Sequence, residues 1–284
     1  MLMIHAVRAI SWLICCISLV FCALPSLLRA EAPQLAWEKI GDDLEQATGK
    51  LNQDSVFSAS IVLVRSALQR FNLQTIRASE YGWKHATIRS LCRAAGASVC
   101  INSNFFDEQG KALGVVISRG IIHQKAHRGG GTLTGILFAT SKGVGITHRD
   151  TFSINGVVEA AQAGPRLISQ GQIVPGLKES SFRTNLSGVC LDSKGRIVLY
   201  RVTAGVFGSS LPLLQNLLLS PAVECLDALN LDGGGSSQLY LAGEIPGHAG
   251  AVREENFAGR DEVPIALGLF PIISALPATA TTSP

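Results

Sequence analysis

Short apolar runs recur along this chain, and glycine, proline, asparagine or aspartate cut them at intervals of roughly eight to twelve positions. Segments this short span one strand each. Repeated strand-helix-strand units would need longer connections between them, so the punctuation selects strands that pair mainly antiparallel. The pattern predicts an α+β fold, built as a single domain from mainly antiparallel mixed sheets with a few packed helices. Residues 59–64 and 71–76 read as partner strands of a hairpin, because both carry strand patterning and little chain separates them. Ile88, Leu91 and Cys92 recur at helical spacing within residues 87–95, and Gly96 supplies a left-handed stop. A buried strand follows over residues 98–101. Short strands are expected over 115–118, 121–123, 132–140, 145–147, 157–161, 166–168, 188–191 and 196–201. A helix at 211–219, its return strand at 223–228, a strand at 238–241 and a last strand at 264–270 complete the reading.

The first thirty residues stand apart. His5 and Arg8 precede an apolar run over residues 9–24, then Pro25 and Leu28-Arg29-Ala30, which is the composition of a secretory signal cleaved after Ala30. An uncleaved membrane anchor is the competing reading, since the run approaches the minimum length of a spanning helix. The domain plan is therefore a signal peptide at 1–30, a lead-in at 31–57, the folded domain at 58–272 and a frayed Pro/Ala/Thr/Ser tail at 273–284. The chain is expected to be exported, to a periplasm or to the medium, with membrane contact only through an uncleaved signal.

Of 24 Lys+Arg, the signal holds Arg8 and Arg29, and all 21 Asp+Glu lie beyond it, so the mature chain is close to neutral. That balance offers no counterion-release drive for nucleic acid. Three of the seven cysteines also lie in the signal, leaving Cys92, Cys100, Cys190 and Cys225. An even number in an exported chain permits two disulfides, with Cys92 and Cys100 close enough in sequence to bridge. The other reading is four small buried apolar side chains. None has the spacing of a zinc or redox site.

Asn230-Leu231-Asp232-Gly233-Gly234-Gly235-Ser236-Ser237 is the sharpest local feature. Three consecutive glycines reach backbone angles closed to other residues, so the amides of Gly233, Gly234, Gly235 and Ser236 could converge on an anion. Asp232 brings a carboxylate to that loop. A two-residue hairpin turn would not need three glycines. A second feature is Asn102-Ser103-Asn104-Phe105-Phe106-Asp107, two amides and a carboxylate around paired aromatics at a strand end, where binding groups collect. One phenylalanine is expected in the core and Phe106 as a sugar platform. The third is Ala163-Gly164-Pro165-Arg166 with Arg183-Thr184 further on, where guanidinium forks match phosphate geometry. His123 and His127 read as loop histidines, with no acid between them to complete a zinc-protease pattern. Asn185-Leu186-Ser187 is a glycosylation sequon.

Over about residues 58–270 these motifs, in this order, resemble the phosphodiester glycosidase family, the bacterial relatives of N-acetylglucosamine-1-phosphodiester alpha-N-acetylglucosaminidase. The resemblance rests on Ile101-Asn102-Ser103-Asn104-Phe105-Phe106-Asp107 with Gly110 and Gly114, on Ala163-Gly164-Pro165-Arg166-Leu167, on Arg183-Thr184 with Gly188, and above all on Asn230 to Ser236. Ser103 departs from the glycine common in the family at that point. The resemblance implies hydrolysis of a sugar-1-phosphodiester, with an N-acetylglucosamine-like sugar, to free sugar and a phosphomonoester. A phosphodiester leaves without much protonation, so such a site must neutralise phosphate and stabilise an oxocarbenium-like centre. Asp232 and Asp107 are then the catalytic candidates, as base toward water or as nucleophile. Asn102, Asn104, Phe106, Arg166, Arg183, Asn230, Gly233, Gly234, Gly235 and Ser236 are the substrate-binding candidates. Two alternatives come from other classes. A non-catalytic envelope glycan-binding module would use the same loops, and a metal-dependent phosphodiesterase would attack phosphorus with Asp107 and Asp232 on a hard cation such as calcium or magnesium. The sequence itself requires no cofactor.

Overall fold

The computed structural model describes residues 35–41, 43–51, 58–177, 181–206, 209–244 and 253–272. The expected signal peptide at 1–30 and the tail at 273–284 lie outside the described residues. Every strand pair in the described part is antiparallel, as the turn spacing predicts.

An eight-stranded sheet runs in the order Trp37–Gly41, Leu44–Lys50, Ser60–Ala67, Arg196–Thr203, Leu186–Asp192, Cys225–Asn230, Arg166–Ser169, Gln172–Ile173. A five-stranded sheet runs Glu255–Phe257, Leu239–Leu241, Val99–Asn102, Ile265–Pro271, Phe71–Arg77. Another five-stranded sheet is Ile121–Gln124, Val116–Ser118, Val157–Ala163, Gly135–Thr140, Gly143–His148. A short pair, Ser181–Phe182 with Ser209–Ser210, stands apart from them.

Period-two alternation assigns the layers. Val64, Ile197, Leu199, Val189 and Leu229 of the large sheet meet Leu73, Val99, Ile101, Leu239 and Leu267 of the first five-stranded sheet in one buried core, which Leu137, Ile146 and Ala161 of the other close from a third side. The intervening residues face outward into two further cores. Leu63, Val198, Tyr200 and Cys190 pack under the helix Leu211–Leu219 through Leu214, Leu217 and Leu218. Ile76, Cys100, Tyr240 and Ala266 pack under the helix Ile88–Ala95 through Ile88, Leu91 and Cys92. The central strands are buried on both faces, which is why they read as continuous apolar runs.

The helix Ile88–Ala95 starts where Thr87 accepts a hydrogen bond from the Ser90 N–H and ends at Gly96, whose φ is 74°. With only two α-helices among the described residues, the chain is mainly β, and the balanced α+β expectation is corrected. The hairpin expected from residues 59–76 is also absent. Ser60–Ala67 pairs with Leu44–Lys50 and Arg196–Thr203, whereas Phe71–Arg77 pairs with Ile265–Pro271 in the other sheet, so the turn between them is a corner from one layer to the next. His123 sits on a strand, not in a loop. Part of the lead-in is sheet: Trp37–Gly41 and Leu44–Lys50 form its edge. Both remaining cysteine pairs are disulfides, Cys92–Cys100 and Cys190–Cys225.

Candidate active site

The strand Cys225–Asn230 runs directly into the glycine loop between the large sheet and the end of Val99–Asn102. Leu231 is buried in the inter-sheet core, and its N–H donates to Ser187 O at 2.8 Å. The Asp232 N–H donates to Ser103 O at 3.0 Å, which ties the next residue to the opposite layer. Asn102 completes the fastening from a fully buried position. Its Nδ2 donates to Asp232 O at 2.6 Å, and its Oδ1 accepts the Gln238 N–H at 3.0 Å.

Asp232 is half-buried. One carboxylate oxygen accepts the Gly233 N–H at 2.9 Å, and Ser236 adds a side-chain hydrogen bond. Burial pushes its carboxyl up to about 6 against those two bonds, and the neighbouring Asp261 carboxylate adds a smaller push in the same direction. Glycine is required twice here. Gly234 has φ +62°, and a Cβ on Gly235 would stand 1.9 Å from Asp261 Oδ2.

The anion nest expected over residues 233–236 is largely spent inside the protein. The Gly233 N–H goes to Asp232, the Gly234 N–H to Asn185 O at 2.8 Å and the Ser236 N–H to Gly233 O at 3.2 Å. Positive charge comes from side chains instead. Gly234 and Gly235 form one wall of a cleft of about 340 Å³, with Arg183, Thr184 and Asn185 on a second side and Ala258, Gly259 and Arg260 on a third. Arg183 and Arg260 are exposed and have no ion-pair partner among the described residues. Behind them lies Arg201, 7% exposed, which donates to Ser237 O at 3.1 Å, Ala258 O at 3.3 Å and Thr203 Oγ1 at 2.6 Å. Burial holds its pKa below the ordinary arginine value. None of these three partners is a carboxylate, so a cation is buried beneath two walls of the cleft.

The other sequence candidates lie elsewhere or serve the frame. Asn104 is buried, with Nδ2 donating to Val115 O and Gln162 O at 3.1 and 3.0 Å and Oδ1 accepting from Ser103 Oγ at 3.1 Å. Asn230 is buried and donates from Nδ2 to Leu231 O at 2.9 Å. Phe105 packs on the inter-sheet core, while Phe106 packs in the cluster under the first helix, its ring 5.6 Å from His85. Asp107 caps its own turn, with Oδ1 accepting the Lys111 N–H at 2.8 Å. Arg166 donates to Ser169 Oγ at 3.2 Å and does not line the cleft. Of the sequence candidates, Gly234, Gly235 and Arg183 line the cleft, Asp232 and Ser236 belong to the same loop outside its lining, and Asp107, Phe106, Asn104 and Arg166 do not line it. Among the described residues no three His, Cys, Asp or Glu side chains group as a metal site.

Sequence reasoning missed Arg260, Asp261 and Arg201. Gln238 fixes the first two, donating to Asp261 O at 2.7 Å, and the Arg260 and Asp261 N–H groups both donate to Gly235 O. Ala258-Gly259-Arg260-Asp261 carries a turn signal, but only the pairing of Glu255–Phe257 with Leu239–Leu241 brings it to the glycine loop.

Fold and site define a layered, mainly antiparallel β protein that holds a carboxyl of raised pKa beside a cleft lipped by two guanidinium groups with no ion-pair partner among the described residues. The chain belongs to the phosphodiester glycosidase family, whose model matches residues 95–270. No curated protein sequence matches it. Among solved structures it is similar to the zebrafish N-acetylglucosamine-1-phosphodiester alpha-N-acetylglucosaminidase catalytic domain auto-inhibited by its pro-peptide. That likeness has a TM-score of 0.59 and 16% identity over 87% of this chain and 90% of that one. It is also similar to a hypothetical protein from Synechocystis, with a TM-score of 0.57 and 16% identity over 86% of this chain. The match spans 65% of the Synechocystis chain, just under two thirds.

Proposed function

We propose that this protein is an exported hydrolase that cleaves the sugar-phosphate bond of a glycosyl-1-phosphodiester at the anomeric carbon, with an N-acetylglucosamine-like sugar. The observation that carries the reading is Asp232. It is a half-buried carboxyl with a pKa of about 6, on the loop whose next residues wall a cleft lined by Arg183 and Arg260. Such a group exchanges a proton near neutral pH, as acid-base catalysis requires. The two guanidinium groups hold the phosphodiester, and the buried Arg201 adds positive potential beneath them. Asp232 takes a proton from water as the water oxygen bonds to the anomeric carbon. The bond from that carbon to the phosphate oxygen breaks, and its electron pair leaves with the phosphomonoester. Family membership supports the reaction class, and the name of the zebrafish relative suggests the sugar. The first thirty residues direct export, and the mature chain begins at Glu31.

Hydrolysis of an N-acetylglucosamine-1-phosphodiester in oxygen-18 water, with products identified by mass spectrometry, tests the reading. Label is expected in the free sugar. Label in the phosphate would mean attack at phosphorus and would overturn the assignment.

A further inference from the structure

The row of strand ends that holds the Asp232 loop continues past it. Phe257 faces Leu239, Leu239 faces Ile101, Asn102 faces Ala266 and Ile265 faces Arg77. The glycine loop, the Ala258–Asp261 turn, the chain leaving Asn102 and the chain leaving Arg77 therefore all open at one edge of the same five-stranded sheet. The cleft of Arg183 and Arg260 lies at one end of this row. At the other end a second cleft, also about 340 Å³, is lined by Arg77, Trp83, Lys84, Lys111, His123 and Gln124 among others. Leu239–Leu241 and Phe71–Arg77 are three places apart in the sheet order. At a strand spacing of about 4.8 Å these two strands are roughly 14 Å apart, a span that an extended ligand covers and a single sugar does not.

The lining of the second cleft has a consistent chemistry. Trp83 is 39% exposed, and the Tyr81 ring steadies its indole at a centroid distance of 5.8 Å. An exposed, braced indole face accepts the C–H face of a sugar ring. Lys84 and Lys111 are exposed and have no ion-pair partner among the described residues. The Glu80 carboxylate is engaged by Arg77 at 3.0 Å and by Arg119 instead. Lys111 is also anchored, its N–H held by Asp107 Oδ1. Burial keeps the pKa of His123 below the ordinary histidine value, leaving a neutral imidazole that can donate or accept.

We propose that this cleft is a second carbohydrate subsite, which seats a phosphate-bearing sugar on Trp83 with its phosphate between Lys84 and Lys111. That its ligand is a remote part of the same glycan whose phosphodiester is cut at Asp232 rests on the proposed function. The binding itself does not.

The test is a calorimetric titration of the full chain with chitotetraose 6-phosphate, unphosphorylated chitotetraose and inorganic phosphate. It is done in an Arg183→Ala/Arg260→Ala background that disables the first cleft. The phosphorylated tetraose is expected to bind more tightly than the other two. Lys84→Glu/Lys111→Glu should weaken it about tenfold at low salt, Lys84→Arg/Lys111→Arg should restore it, and molar salt should erase the difference between the tetraoses. Trp83→Ala should weaken both tetraoses by a similar factor and Trp83→Phe should recover most of that loss. No binding in the Arg183→Ala/Arg260→Ala background, binding indifferent to the charge reversal, or inorganic phosphate binding as tightly as the phosphorylated tetraose would each overturn the subsite. If the oxygen-18 experiment fails while this titration succeeds, only the catalytic reading falls, and the reverse outcome removes only the subsite.

Discussion

Asp232 stands in a fold that penalises its charge, yet the proposed reaction needs that charge to take a proton from water. Its pKa is about 6 in the folded chain against 3.8 for a free aspartate, so the fold favours the protonated carboxyl. The stabilisation this provides is complete below about pH 4 and fades as pH rises. Above the folded pKa it is gone, a difference of about 3 kcal/mol. Asp232→Asn is neutral and keeps an acceptor for the Gly233 N–H. It should therefore melt higher than the parent at pH 8 and alike at pH 4, while turnover falls by about 10²- to 10⁴-fold. Thermal denaturation at the two pH values, beside initial rates, checks both halves; full activity, or a lower melting point at pH 8, would remove Asp232 from the role. In the parent, kcat/KM should rise with pH and level off above about 6, as expected of a base that must be ionised to act. A flat profile between pH 5 and 7 would contradict it.

At the scale of elements, the site is an encounter of strand ends, and Asn102 is the joint between them. Its Nδ2 reaches Asp232 O and its Oδ1 receives the Gln238 N–H, both at a position of 0% exposure. Asn102→Ala leaves two buried backbone groups unpaired, which should cost about 2–4 kcal/mol in urea denaturation and slacken the loop that carries Asp232. A loss under 0.5 kcal/mol would show that water replaces the amide with little penalty. How much of this was legible follows from the same geometry. Period-two patterning and turn residues disclosed most strands, and the spacing of Ile88, Leu91 and Cys92 before Gly96 disclosed the first helix. Patterning identifies a strand and not its partner, so residues 59–64 and 71–76 read as a hairpin although the strands they fall in belong to different sheets. The edge strands Trp37–Gly41 and Leu44–Lys50 escaped because WEKIG and LEQATGK are polar and half-exposed, without a clear apolar face. The Asp232 loop was visible because three glycines in a row are locally abnormal. Arg260 and Asp261 were not, since their place beside Gly235 is created by the pairing of Glu255–Phe257 with Leu239–Leu241. Asn102 and Asn104 illustrate the converse: strand-end amides of the kind that bind ligands are here buried in holding the frame.

For the molecule as a whole, the two disulfides are distributed so that each of two opposed layers has one. Cys190–Cys225 joins neighbouring strands of the large sheet, at the start of the strand whose far end enters the Asp232 loop, and Cys92–Cys100 joins the first helix to the strand that ends at Asn102. The cross-links close loops of very different length, 35 and 8 residues of separation. In the chain-entropy account the longer loop contributes about 4 kcal/mol and the shorter about 2.5 kcal/mol. Replacing Cys190 and Cys225 together by alanine should therefore lower the melting temperature more than replacing Cys92 and Cys100 together. The opposite order would mean that the helix-strand joint outweighs loop closure. These contributions hold only where thiols oxidise, and that ties stability to the compartment expected from residues 1–30. Protein recovered from outside the cytoplasm should begin at Glu31 and show no free thiol under denaturing maleimide labelling. The same chain trapped in the cytosol should label at Cys92, Cys100, Cys190 and Cys225 and unfold at a lower urea concentration. Exported protein that still labels at those four positions would separate the disulfides from the secretory route and leave the stability of both sheets to packing alone.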